Sequence, residues 1–488
     1  MRTRWILGAV IVGVLAVLSG GCNGEPGLAA RFDYVVPARF EVPELRASAE
    51  QGEYEVYAEG PLHPDSWLVR LNACASTGSP VKYSWRIDGE SVGVETACDA
   101  FEYELPAEGT YSVSLVVEDS NGDEELHTAN IVVRDLLIFG VGDSYGSGEG
   151  NPDVEASEEG GVQWQHRRCH RSAHSGQVRA AQLIEDEDPH TSVTFVHLAC
   201  SGGRIHRALL EPYLGIEEDG DPFPPQIDRV AELADGHEID ALFVSIGGND
   251  INFANVLEAC ILGEVCHEDD PMPDPLLGSA ASLICSLAGS FSDECEAYIA
   301  SEPDAESLDA RTIFEVHSKT EDVNGEDMEQ DGLDDLPNNY LELAQEIVGS
   351  LGMDPGRVYL PEIPDVTRDE HGQTCAWPTE LPGFSEGLRI ALQELPGVTQ
   401  TEMQWASDHV LTQLRAAMRT AADEHGWQFV EGVDSRFEGH GYCAAEPWLV
   451  RLQNTFQIQG DKNGALHPNV PGHGAYAEAI VAAFDLGQ

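Results

Sequence analysis

The chain has 488 residues, enough for two or three domains and at least one large core. Against 26 Lys+Arg stand 86 Asp+Glu, a formal net charge of -60, and lysine occurs only at Lys82, Lys319 and Lys462. Such a surface repels phosphates and argues against a nucleic-acid partner; it suits a salty medium, where screening relaxes self-repulsion.

The first elements read as a processing signal. Arg2 and Arg4 precede an apolar stretch, Trp5 to Leu18, that is short for a bilayer span. It ends in "LSGGC", with Cys22 last. Small residues before a cysteine resemble the lipobox of bacterial lipoproteins, where the signal is cut before a Cys whose thiol carries lipid. Ser19 stands where that pattern places Leu, and Leu18 lies one position further back. The resemblance implies that residues 1–22 are a signal with its lipidation Cys. The expected location is then a membrane, at the outer membrane, cell surface or periplasmic face. The alternative is an ordinary secretory signal on a secreted protein.

Of eleven cysteines, ten follow Cys22. An even number in an exported chain suggests disulfides, and no CxxC pair supports a zinc ribbon or a thioredoxin-type motif. Domain logic pairs Cys74–Cys98, Cys169–Cys200 and Cys375–Cys443. Cys260, Cys266, Cys285 and Cys295 are left to pair among themselves.

Residues 23–37 open on "NGEPG" and read as a linker. Residues 38–135 read as all-β: "VKYSWRID", "AFEYEL" and "TYSVSLVVED" alternate, with Asp88–Gly89 and Asn121–Gly122 as turns. The stretches "VRLNACASTGSPVKYSWRIDG" and "PAEGTYSVSLVVEDSNGDEE" resemble a PKD-like, immunoglobulin-like sandwich, which implies Trp85 as its buried aromatic.

From 136 to 488 the pattern changes. "DLLIFGVG", "TSVTFVHLAC", "IDALFVSIGG" and "GRVYLPEI" look like strands buried on both faces. Helix-period segments separate them: "AHSGQVRAAQLIED", "PPQIDRVAELADG" and "NNYLELAQEIVGSLG". "TEMQWASDHVLTQLRAAMRTAADEHG" and "HGAYAEAIVAAFDLG" follow as further helices. Such alternation predicts an α/β fold, a parallel sheet with helices on both sides. Residues 262–335 read as an acidic, Cys-containing insertion or lid. Within it "DMEQDGLDD", Asp327 to Asp335, spaces acidic residues like the start of a calcium loop, although Glu329 stands where Asp or Asn is usual. A solvated acidic loop is the plainer alternative, and no metal or cofactor is assigned.

The chemistry-bearing loop is "FGVGDSYGSGEG", Phe139 to Gly150. Tyr145 stands where a dinucleotide loop needs its third Gly, and no G-K-[ST] follows, so phosphate cradling is not supported. "GDSYG" satisfies G-x-S-x-G, but Ser144 follows the first strand of its domain, earlier than a nucleophile elbow falls. "GDSYGSGEG", "LACSGGRI", "SIGGNDINF" and "GALHPNVPGH" resemble, in order, the four blocks of the SGNH (GDSL-type) serine hydrolases. They are similar above all to a secreted esterase group with "GDSYSSGEG"-like openings.

That resemblance implies a three-layer α/β/α hydrolase domain and, residue by residue, a site. Ser144 is the candidate nucleophile and His467 its base, in preference to His440 or His473. The Ser144 N–H, the Gly202 N–H and the Asn249 side-chain amide are the candidate oxyanion donors, with Gly203 as the alternative to Gly202. Many members place Asp three residues before the final His; here that residue is Gly464. The acceptor orienting His467 is therefore expected to be a backbone carbonyl near Gly464, as in the related esterases, or else Asp461. Asp143 and Asp250 are expected to brace loops.

The expected function is a serine esterase or lipase acting on carboxylic esters: lipid, acylated glycan or small ester. An acyltransferase of the same chemistry and a non-catalytic glycan- or partner-binding surface lipoprotein are the alternatives. Trp377 and Trp448 are candidates for a substrate groove or for ordinary core.

Overall fold

The structure, a computed structural model, describes residues 27–45, 55–99, 101–157, 161–217, 220–253, 325–376, 400–461 and 463–484. The signal with Cys22, the four cysteines between 260 and 295, and Trp377 lie outside them.

The smaller of two units takes in residues up to Val35, then Leu68–Leu105 and Gly109–Val132. One sheet orders β1 (Asp33–Val35), β3 (Trp67–Asn72) and β6 (Phe101–Leu105). The other pairs β4 (Lys82–Ile87) antiparallel with β5 (Glu90–Glu95) and with β7 (Gly109–Glu118). Its next strand is the first part of β8 (Glu124–Gly142). Period two decides which faces meet. Tyr83, Trp85 and Ile87 turn inward along β4, and Val113, Leu115 and Val117 do so along β7. Trp85 is buried, edge-on to Phe32 at 5.5 Å and stacked on Phe101 at 5.8 Å. Cys74–Cys98 closes this unit covalently.

The larger unit comprises Val36–Trp67, Pro106–Glu108 and the chain from Val133 onward. Its sheet is mixed. The second part of β8 runs parallel to β9 (Thr191–His197) and to β10 (Ala241–Ser245). β10, β11 (Val358–Pro361) and β12 (Gln428–Val430) continue in parallel. β2 (Val56–Tyr57) pairs antiparallel with β9.

The four apolar runs are these parallel strands, and they are buried on both faces. Leu137, Phe139 and Val141 of β8 enter one core with Ile227, Tyr340 and Leu414; Leu136 and Ile138 enter another with Val178, Tyr476 and Ile480. Helices therefore cover each face: α3 (Gln226–Ala234), α4 (Gly325–Glu346) and α5 (Thr412–His425) on one, α2 (Gly176–Glu187) and α6 (Val470–Ala483) on the other. Each fully buried apolar side chain contributes about 1.5–3 kcal/mol, so the alternating strand holds both layers at once. Cys169–Cys200 and Cys375–Cys443 form within this unit.

Three expectations are corrected. Residues Val36–Trp67 pack in the larger unit rather than opening the sandwich at 38; β2 and a network around Arg39 hold them there. Arg39 pairs with Asp135 at 2.6 Å, and Glu185 accepts from the backbone of Arg39 and Phe40. The sheet is not purely parallel, because β2 caps it in reverse. Asp327 to Asp335 fall inside α4, so this stretch is helix rather than a calcium loop. The same helix buries Leu333, Leu336, Tyr340 and Leu343, so the last residues of the expected lid begin a core element. Among the described residues, no helix is long and apolar enough to cross a membrane.

Candidate active site

Three strand ends converge at the carboxyl edge of the parallel sheet, where ligands bind in open α/β folds. β8 ends at Gly142, and Ser144 opens a single helical turn, α1 (Ser144–Ser147). Gly142 has φ +131°, and a Cβ there would lie 2.0 Å from the Ser245 carbonyl oxygen, so only glycine brings the strands this close. Gln226 holds Gly142 from both sides: its Oε1 accepts from the Gly142 N–H at 2.7 Å and its Nε2 donates to the carbonyl at 3.0 Å.

Asp143 caps the turn. It accepts from the Tyr145 N–H at 3.1 Å and from Ser245 Oγ at 2.9 Å. Burial pushes its carboxyl up to about 7, against those two hydrogen bonds. Asp250 accepts from the Ile205 N–H at 2.9 Å and is pushed up to about 6 by burial. Both carboxyls brace loops, as their sequence positions suggest.

Ser144 is nearly enclosed, 7% exposed, and its Oγ lies 2.7 Å from His467 Nε2. His467 Nδ1 donates to the Ala465 carbonyl at 3.1 Å. That bond fixes the tautomer and leaves Nε2 free to accept the serine proton. The orienting group is thus a backbone carbonyl one residue past Gly464. Asp461 instead accepts from Gln459 Nε2 at 2.6 Å and from the Asn463 N–H at 2.8 Å. Desolvation holds the His467 imidazole below its ordinary range, while the Glu149 carboxylate and nearby backbone carbonyls pull it back up. His440 contacts the Glu446 carbonyl and stacks on Trp448 at 4.1 Å. His473 is buried and accepts from the Gly176 N–H at 3.2 Å.

The segment carrying His467 is clamped from several directions. Leu466 takes a left-handed φ of +65°, a strained conformation for a leucine. Its carbonyl accepts from Tyr145 Oη at 2.9 Å and its N–H donates to Val450. Two residues past His467, Asn469 caps α6 by accepting from the Gly472 N–H, with proline in the first turn. The stretch "HPNVPGH" is therefore a helix start that fixes the histidine just before it.

The third loop follows β9. Cys200 donates its N–H to Gly142 at 3.0 Å, tying this loop to the serine loop, and its disulfide partner Cys169 accepts from the Ser201 N–H. Gly202 has φ +78°, and a Cβ there would meet the Tyr213 hydroxyl at 2.5 Å. Asn249 Nδ2 donates to the Gly203 carbonyl at 2.9 Å, which joins the loop after β10 to this one. The Gly203 N–H is spent on the Cys200 carbonyl, whereas among the described residues the Ser144 and Gly202 N–H groups donate to no backbone acceptor. Of the two glycines, Gly202 is therefore the one whose N–H is not spent on a backbone carbonyl among the described residues.

Tyr145 and Glu149 were not singled out by sequence, which expected the orienting carbonyl near Gly464 without naming Ala465. Tyr145 lies against the His467 ring at 5.3 Å. Glu149 is a fully buried carboxylate in the same loop as Ser144. The "GSGEG" stretch places Glu149 near the serine, but nothing local marks its partners. Trp448 is half-buried, edge-on to Phe437 at 5.6 Å. Among the described residues, no cluster of His, Cys, Asp and Glu is arranged to hold a metal ion.

A model of the PKD domain matches residues 54–132. The chain thus combines a PKD, immunoglobulin-like domain with an α/β domain on a mixed sheet. No curated protein matches the chain. Among solved structures, a PKD1 domain from the Vibrio cholerae metalloprotease PrtV is 22% identical, covering 22% of this chain and 98% of its own, with a TM-score of 0.14. A putative GDSL-like lipase from Parabacteroides merdae is 12% identical over 72% of this chain and 97% of its own, with a TM-score of 0.30. A family two carbohydrate esterase from Clostridium thermocellum, solved with cellohexaose, is 10% identical over 92% and 97%, with a TM-score of 0.27. Identities and TM-scores this low decide neither activity nor substrate.

Proposed function

We propose that the α/β domain is a serine hydrolase that cleaves carboxylic esters through a Ser144–His467 dyad. The observation that carries this reading is the 2.7 Å approach of His467 Nε2 to Ser144 Oγ, with Nδ1 already committed to Ala465. A serine hydroxyl attacks a carbonyl only when a base takes its proton, and this arrangement supplies the base in the right tautomer.

The steps follow from the geometry. Ser144 Oγ bonds to the ester carbonyl carbon as its proton passes to His467 Nε2. The carbonyl oxygen becomes an oxyanion, which accepts hydrogen bonds from the Ser144 and Gly202 N–H groups and the Asn249 amide. One such donor is worth about 10²–10³ in kcat. The carbon–oxygen bond to the alcohol then breaks, and the imidazolium returns its proton to the leaving oxygen. Water repeats the sequence on the acyl-serine, releasing the acid and free Ser144.

The substrate class is a lipid ester, an acylated glycan or a small ester. Three disulfides accord with export, and "LSGGC" accords with a lipid anchor at Cys22. The test is hydrolysis of aryl esters of short and long acyl chains by the purified protein beside Ser144→Ala. Turnover that vanishes in the variant supports the reading, and the chain-length profile separates esterase from lipase. Turnover untouched by the substitution contradicts it.

A further inference from the structure

Glu149 is a buried carboxylate that the steps above leave without a role. Its side chain is 0% exposed. His170 Nδ1 lies 2.9 Å from both its oxygens, and Gln459 Nε2 donates to Oε1 at 2.6 Å. The Ser201 N–H donates at 3.0 Å to the carbonyl of Cys169, the residue before His170, and the Ser201 side chain helps hold the Glu149 carboxyl down. On the other side of His170, Nε2 meets Glu217 at 3.1 Å, and Arg167 grips that carboxylate at 2.9 Å. Trp164 stacks on the ring at 4.6 Å. A histidine with a carboxylate on each nitrogen donates from both and is an imidazolium. Burying such a pair costs desolvation that a packed apolar pair avoids, so its position is informative.

That position joins three loops. Glu149 lies five residues past Ser144 on the same loop. Ser201 precedes Gly202. Gln459 also accepts from the Gly150 N–H at 3.1 Å and donates to Asp461, six residues before His467. We propose that Glu149 is a positioning residue for ester cleavage: its carboxylate, held ionised by His170, locks the Ser144, Gly202 and His467 loops together and stabilises the imidazolium that His467 becomes. The proposal rests on the ester-cleaving reading.

Gly150, the residue after Glu149, packs on His467, since a Cβ there would lie 3.1 Å from His467 Cβ, and the charged and titratable groups facing His467 set the sign. Desolvation lowers its affinity for a proton, Glu149 raises it, the Ala465 and Asn463 backbone raises it, and the His170 cation lowers it. His473 is pushed down to about 3 by burial and stays neutral, and Tyr145 packs on the ring. Asp461 accepts from Gln459 Nε2, which also donates to Glu149, and its charge supports the His170 cation. Asp143 sits on the serine side, at Ser245 and Tyr145. Removing the Glu149 charge therefore makes His467 a weaker base.

The test is the pH profile of kcat/KM for an aryl ester in the wild-type protein, Glu149→Gln and Ser144→Ala, with folding checked by thermal melting. In Glu149→Gln we expect the acid limb to move down by about one pH unit and the plateau to fall about tenfold. A purely structural role would lower the plateau and leave the limb in place, and that result would overturn the proposal alone. Absence of Ser144-dependent turnover in the wild-type protein would overturn the ester-cleaving reading and the proposal with it. If Glu149→Gln does not fold, Glu149→Gln with His170→Asn removes both charges and leaves no unpaired ion. The limb is expected to move down there too, because Glu149 acts on His467 more strongly than His170 does.

Discussion

Ser144 Oγ and His467 Nε2 meet at 2.7 Å although 323 positions separate them in sequence. The serine is fixed by the end of β8 and the histidine by the cap of the last described helix, and each is held by backbone bonds of its own loop. The orienting acceptor is the Ala465 carbonyl. Asp461→Asn should therefore change kcat less than about tenfold, whereas an orienting triad carboxylate is worth about 10⁴. Steady-state kinetics on an aryl ester decides this; a loss of about 10³ or more would assign the role to Asp461.

Asn249 reaches the Gly203 carbonyl with one amide hydrogen and has a second to give. Asn249→Ala should lower kcat about 10²–10³-fold with little change in KM, because the oxyanion exists only in the transition state. A raised KM at unchanged kcat would instead make Asn249 a ground-state binding group.

The buried Glu149–His170 pair predicts a pH window of stability. His170 is pushed up to about 10, with burial opposing and Glu149 and Glu217 prevailing, from an ordinary 6.5. Its contribution is full below pH 6.5 and is lost as pH rises through about 10. Glu149 is held down to about 2 from 4.5, again against burial, by His170. Its contribution is present above pH 4.5 and is lost as pH falls towards 2. His170→Asn should cost about 3–5 kcal/mol, the usual result of leaving one buried partner alone. The gap to wild type in urea melts should be widest between pH 4.5 and 6.5. A gap that grows towards pH 10 would contradict the pairing.

The Cys169–Cys200 disulfide closes 31 residues of chain two positions before Gly202. Its loss should cost about 3–4 kcal/mol by loop-closure entropy. Because it also holds the Ser201 N–H against Cys169, reduction should lower kcat before the fold is lost. Activity and ellipticity followed together under a reductant separate the two; loss of both at one reductant concentration would make the disulfide purely structural.

Much of this was legible in sequence. Strands buried on both faces write continuous apolar runs, and Ser144, Gly202, Asn249 and His467 each sit in a short stretch at a strand or helix end, where local chemistry is written compactly. Other features leave no such trace. β2 is two residues long and pairs by backbone alone, so nothing marks Val56–Tyr57 as part of the larger unit. The Ala465 carbonyl has no side-chain signature. Asp327 to Asp335 carry the acidic spacing of a loop, but the helix that buries Leu336 and Tyr340 further along includes them. Glu149 depends on His170, Gln459 and Ser201, which only folding brings together.

The central claim, that Ser144 is a nucleophile activated by His467, is tested most directly by intact-mass and peptide mass spectrometry after incubation with a fluorophosphonate. The account predicts one adduct, on the peptide carrying Ser144, forming more slowly as pH falls through the His467 transition. It should be absent in Ser144→Ala and strongly slowed in His467→Ala. A folded wild-type protein that forms no adduct, or one whose adduct persists in Ser144→Ala, would contradict it.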